Sequence, residues 1–67
     1  MMLEVKAETA VDAIEIAKTA GYKLDAEYGA IPMSGKEKSW VLRGEKDADT
    51  HADDRITEWG DAQQELF

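Results

Sequence analysis

Residues 47–67 read DADTHADDRITEWGDAQQELF, and how this stretch folds decides the architecture of the chain. It combines a run of acids with four large apolar residues, Ile56, Trp59, Leu66 and Phe67. Thr50 and Asp53 have the spacing of a capping box, with an N-cap hydroxyl and an acid three residues on. Placed on a helix over residues 52–66, Ile56, Trp59, Gln63, Leu66 and Phe67 cluster within about 120°. The expectation is an amphipathic C-terminal helix whose apolar side docks on the rest of the chain.

Working back from it, WVLR at 40–43 reads as a strand closed by Gly44, and SGKEKS at 34–39 as a polar turn. From Tyr22 to Tyr28, Tyr22, Leu24, Ala26 and Tyr28 alternate with Lys23, Asp25 and Glu27, the period of a half-buried strand. Gly29 marks a bend, and Pro32 ends this strand or places it on an edge. These two strands are expected to form a hairpin. Thr9 opens a helix over 10–20 with Asp12 in capping position, and Gly21 closes it where a positive φ is cheap for glycine. Val11, Ala10, Ala13, Ile14, Ile16, Ala17 and Ala20 are assigned to its inner side. Leu3, Val5 and Ala7 alternate with Glu4, Lys6 and Glu8, a strand over about residues 2–7. The expected fold is α+β, a three-stranded sheet with two helices in the order β-α-β-β-α, forming one domain over residues 1–67. Strands one and two flank a helix and so are expected to run parallel, directly paired or with a strand inserted between them.

Sixty-seven residues without a cysteine bury only about 60% of the unfolded surface, so the core relies on packing alone. The chain has no thiolate for zinc and no apolar run that approaches the ~18 residues of a membrane span. The acidic N-terminal stretch MMLEVKAE is unlike a signal peptide, so a cytoplasmic protein is expected.

The net charge of −7 is concentrated at one end. Residues 1–44 hold seven acids and six bases, whereas residues 45–67 hold eight acids against Lys46 and Arg55. Phosphates repel such a tail, so direct nucleic-acid binding through it is not expected. The charge points instead to a basic protein surface. Lys36, Lys38 and Arg43 near Trp40 form a small basic-aromatic spot of the kind that suits a single strand, but three cations weigh little against the net charge. Asp47, Asp49, His51, Asp53 and Glu58 match positions 1, 3, 5, 7 and 12 of a calcium loop. Ala52 stands where that loop needs glycine for its sharp turn, and neither a metal nor another cofactor is expected. His51 is the single histidine and Ser34 and Ser39 are the serines. No nucleophile, base and orienter converge at a recognisable spacing, so the protein is not expected to be an enzyme.

On the expected C-terminal helix, Asp54, Glu58, Asp61 and Glu65 fall within about 60° of one another and form a ladder about 16 Å long at ~1.5 Å per residue. Like charges at i,i+4 cost a few tenths of a kcal/mol each. The near-neutral body argues against a proteome-wide acidic bias as the cause. A short cysteine-free chain with a strand-helix-hairpin body and a concentrated acidic ridge resembles small phage-encoded anti-defence proteins, the anti-CRISPR proteins in particular. That resemblance implies an inhibitor that mimics DNA and occupies a basic, nucleic-acid-handling partner such as a Cas effector, through Asp54, Glu58, Asp61 and Glu65 with Asp47 and Asp49. The competing expectation is an assembly module that pairs an exposed sheet edge with a second copy, as a homodimer, or with a larger protein.

Overall fold

The computed structural model describes residues 1–59 of the chain. Leu3 and Val5, inward residues of strand β1 (Met2–Lys6), are fully buried. The chain then turns at Thr9, whose hydroxyl accepts the Asp12 N–H at 3.1 Å and starts helix α1 (Ala10–Thr19). Ala13, Ala17 and Ala20 lie on one face at helical spacing and are buried. Their small side chains let α1 lie close against the sheet. Val11, expected inside, is 67% exposed.

The helix ends in a Schellman motif: the Tyr22 N–H donates to Ala17 C=O (3.1 Å) and the Gly21 N–H to Lys18 C=O (3.0 Å). Gly21 takes φ +96° there. Strand β2 (Lys23–Leu24) follows and is short. The alternation through Tyr28 does not continue it, because the Asp25 carboxylate accepts the Glu27 N–H (3.0 Å) and the Asp25 carbonyl accepts from Tyr28, folding residues 25–28 into a turn. Strand β3 (Ala30–Pro32) resumes the edge, and β4 (Ser39–Glu45) completes the hairpin.

The C-terminal expectation is overturned. Residues 56–59, assigned to a helix over 52–66, form strand β5 (Ile56–Trp59), antiparallel to β1 with Val5 opposite Ile56 and Met2 opposite Trp59. Among the described residues the fold therefore has one helix and a five-stranded antiparallel sheet, mostly β, not three strands and two helices. The remainder of the expected helix, Gly60 to Phe67, lies outside the described residues.

The reason is tertiary. Thr50, read as a helix cap, donates its hydroxyl to Gly21 C=O (2.8 Å) and accepts the Asp47 N–H (2.7 Å). Asp53 accepts the Arg55 N–H and grips its guanidinium (2.8 and 3.0 Å), closing a turn with the Ile56 N–H on Asp53 C=O. Isoleucine, threonine and tryptophan then enter a strand readily. The backbone groups on the outer side of β1 need partners, and β5 supplies them.

In the sheet, β4 pairs with β1 on one side and with β2 and β3 on the other, and β5 pairs with the far side of β1. Strands β4 and β5 thus run in the same direction on either side of β1. The chain from Glu45 to Ile56 must return the length of the sheet, and residues 46–55 form that strap. Ten residues reach at most about 33 Å, ample for a five-residue strand of about 17 Å, so no crossover helix is needed.

The strap is held against the helix end, where the His51 N–H donates to Ala20 C=O at 2.9 Å. A Cβ on Gly21 would lie 2.8 Å from the Asp49 carbonyl oxygen and from the Thr50 Cα. Gly21→Ala is therefore strained twice, by about 1–2 kcal/mol for the left-handed conformation and by overlap with backbone that has to move. Gly29→Ala, at φ +70° with open space around it, bears the conformational cost alone. We expect urea unfolding to show a loss for Gly21→Ala at least twice that for Gly29→Ala.

Candidate functional site

The acids singled out by the sequence do not form a ridge in the described residues. Asp54 lies in the turn before β5 and Glu58 in the strand, so no helical turn joins them. Asp61 and Glu65 lie outside the described residues. Asp47 accepts the Ala48 N–H (2.8 Å) and faces Lys23 Nζ at 3.8 Å, which shapes the strap locally. Asp49 and Asp54 are exposed and have no ion pair among the described residues.

Glu58 has a different place. Its carboxylate accepts the hydroxyl of buried Tyr22 and pairs with Lys46 Nζ at 3.1 Å. Burial pushes the Tyr22 phenol up to about 12, and the adjacent Glu58 carboxylate adds to that rise. In return the Tyr22 hydrogen bond, helped by Lys46, holds the Glu58 carboxyl below its ordinary value. Asp53, gripped by Arg55, is drawn down to about 2. Tyr22, Glu58 and Lys46 border a cleft of about 410 Å³ beside the strap, with Thr50 and His51 on its rim. A wider hollow of about 810 Å³ between α1 and the upper end of β1 carries both signs of charge, including Glu8, Asp12, Lys38 and Arg55.

The chemistry on offer at the sheet edges is main-chain hydrogen bonding. The Lys6 N–H donates to Arg55 C=O at 2.9 Å. Alternation then turns the main-chain groups of Thr57 and Trp59 toward β1, and those of Ile56 and Glu58 away from it. The Ile56 N–H is taken by Asp53 C=O (3.0 Å). The Ile56 carbonyl and both main-chain groups of Glu58 face outward, and β5 is the last strand on this side among the described residues.

The opposite edge is guarded. The same alternation on β3 turns Ala30 and Pro32 outward, and proline has no N–H to give. The turn at residues 25–28 interrupts the edge between β2 and β3. No proline interrupts β5, and no lysine stands within it. The strap beside it is rich in acid, with Asp47, Asp49, Asp53 and Asp54 against Lys46 and Arg55, and Glu45 and Glu58 in the strands that flank it add to the charge.

The buried phenol and the edge strand were not legible as a site. Tyr22 follows a helix-ending glycine and reads as a strand residue. Only the β-branched and aromatic residues of ITEW over 56–59, Ile56, Thr57 and Trp59, hint at β5.

The chain matches no known protein family, and it shows no significant similarity to a characterised protein or to a solved structure.

Of the shifted groups, Glu58, Asp53 and Tyr22 set the pH dependence of stability. Glu58 and Asp53 have folded-state pKa values below their ordinary ones. Their contribution is complete above the ordinary carboxylate pKa of about 4 and is lost as pH falls through the folded values. Tyr22 is raised, so its contribution is complete below its ordinary pKa of about 10 and is lost as pH rises through about 12. We expect the urea midpoint to hold level from about pH 5 to 9 and to fall on both sides. Tyr22→Phe should shrink the alkaline fall and part of the acid fall, while Asp53→Asn removes another part of the acid fall alone.

Proposed function

We propose that this protein is a non-enzymatic binding module that adds an extended, basic segment of a partner protein to the outer edge of β5. The observation that carries this reading is an edge strand whose outward main-chain groups have no strand partner among the described residues, beside an acid-rich strap. Strand addition derives its affinity from main-chain bonds and its selectivity from flanking side chains. The acids select a cationic segment and speed its approach. Proteins that handle nucleic acid are rich in such segments, so a basic, nucleic-acid-handling partner remains the leading class. The resemblance to anti-CRISPR proteins rested on a short cysteine-free chain, a strand-helix-hairpin body and a helical acidic ridge, and the part that rested on the ridge is not carried forward. Pairing with a second copy is disfavoured by charge, since two chains of −7 would meet along their acidic straps.

The test is to bring down partners with the tagged protein at low and raised salt, and then to measure binding of the purified partner. A chain made by chemical synthesis with an N-methyl group on Glu58 loses one outward donor and keeps every side chain. We expect it to bind at least tenfold more weakly with an unchanged urea midpoint. Asp49→Asn with Asp54→Asn should weaken binding at low salt and flatten its salt dependence. Slow hydrogen exchange of the Glu58 amide in the free monomer, or a partner indifferent to the N-methyl group, overturns the reading. So does sedimentation that shows a dimer abolished by the N-methyl group.

A further inference from the structure

The side of the sheet away from α1 holds a feature that the edge alone does not use. Residues of a strand face alternate sides. Leu3 and Val5 belong to the core beneath α1, so Met2, Glu4 and Lys6 face the other way. The register sets Thr57 and Val41 on either side of Glu4, and Trp59 beside Met2. No element among the described residues packs over this face, yet Glu4 is only 7% exposed.

The polar partner of Glu4 is Lys36 Nζ at 3.4 Å, reaching back from the loop between β3 and β4. Lys36 itself is largely exposed. A carboxylate accepts about four hydrogen bonds, and a charge-assisted bond of this type is ordinarily about 2.7–2.9 Å long. Glu4 is therefore an underused anion, almost wholly enclosed by its neighbours and held by one long contact from a mobile type of side chain.

We propose that Glu4 is the specificity residue for an arginine of the added strand. This rests on strand addition at β5. A strand on the open edge lies about 4.8 Å from β5 and so about 9.6 Å from β1. The residue between is Thr57, small enough for a long side chain to pass over it toward Glu4. A guanidinium offers a planar fork of donors to a carboxylate, which an ammonium cannot. Trp59, 37% exposed on the same face, presents a ring on which that plane stacks. The arginine of the partner replaces Lys36, whose release into water costs little because it is already exposed. Lys36 thus acts as a placeholder that keeps Glu4 paired until the partner arrives.

The probe is a blocked heptapeptide alternating valine with arginine, compared with the same peptide carrying citrulline, which keeps the shape and loses the charge. Proton–nitrogen NMR reads both events, through protection of the Glu58 amide and through the indole N–H of Trp59. The Trp40 indole, bonded to Ala7 C=O at 3.0 Å, serves as the internal reference. We expect the arginine peptide to bind at least tenfold more tightly than the citrulline peptide. Glu4→Gln should remove most of that ratio, leaving only the smaller, salt-sensitive part that the acids of the strap supply. Lys36→Ala, by removing the competitor, should raise the ratio, a direction that a merely structural role would not produce. If Glu4→Gln fails to fold, Lys36→Ala decides alone. A ratio that Lys36→Ala leaves unchanged or lowers, with the Glu58 amide still protected by peptide, overturns the assignment of Glu4 and leaves strand addition standing. If neither peptide protects the Glu58 amide, strand addition falls and the assignment with it.

Discussion

The contact between the strap and the end of α1 is the constraint on which the rest of the structure depends. Two carbonyls at the close of the helix, Ala20 and Gly21, accept from His51 and Thr50. Helix C-termini leave carbonyls without internal partners, and here a distant segment supplies the donors. The bare Cα of Gly21 lets the backbone of Asp49 and Thr50 come close enough to do so. Once the strap is anchored at that corner, it delivers Arg55 to Lys6 and β5 to the open side of β1. Tyr22 and Glu58 close the same corner from the other direction, joining the residue after the helix to the last described strand.

Much of the first half of the chain was legible because its signals are local. Thr9 caps, the alanines share a face, and Gly21 stops the helix, each within a few residues of its partners. Two stretches misled because their polar side chains act elsewhere than the pattern implies. Asp25 turns a seven-residue alternation into a two-residue strand. Thr50 has the spacing of a cap but spends its hydroxyl on Gly21, 29 residues away. Isoleucine and tryptophan three apart suggest one helical face, whereas in β5 they lie on opposite sides of the sheet. Such choices are made by the unmet backbone groups of β1, which no window over 50–67 contains. The acidity of the site could be read directly. The buried state of Glu4 could not, since alternation with Leu3 and Val5 marks it as a solvent-facing residue.

The acids divide into two populations. Asp47, Asp53 and Glu58 are engaged in turns or ion pairs that shape the strap and fasten it. Asp49 and Asp54 are exposed without such partners among the described residues, and their repulsion brings the fold no compensating contact there. A small domain thus draws structure and surface potential from one short segment. The same economy appears in β5, which completes the hydrogen bonding of β1 with one side and has no strand on its other side among the described residues.

The position of β1 has a consequence for the order in which the molecule can form. The first strand of the chain is hydrogen-bonded between β4 and β5, the last two described. During synthesis Leu3 and Val5 can collapse under α1 early, but β1 has no neighbour on either side until residue 45 has emerged, and only one until residue 59. Because domains emerge from the ribosome N-terminus first at about 5–20 residues per second, β1 spends seconds as an unpaired strand with a hydrophobic side. Closing it requires contacts between the two ends of the described chain, which slows folding relative to locally paired sheets. Glu4 and Lys6, charged and alternating with the core residues, are well placed to discourage pairing with other nascent chains in that interval.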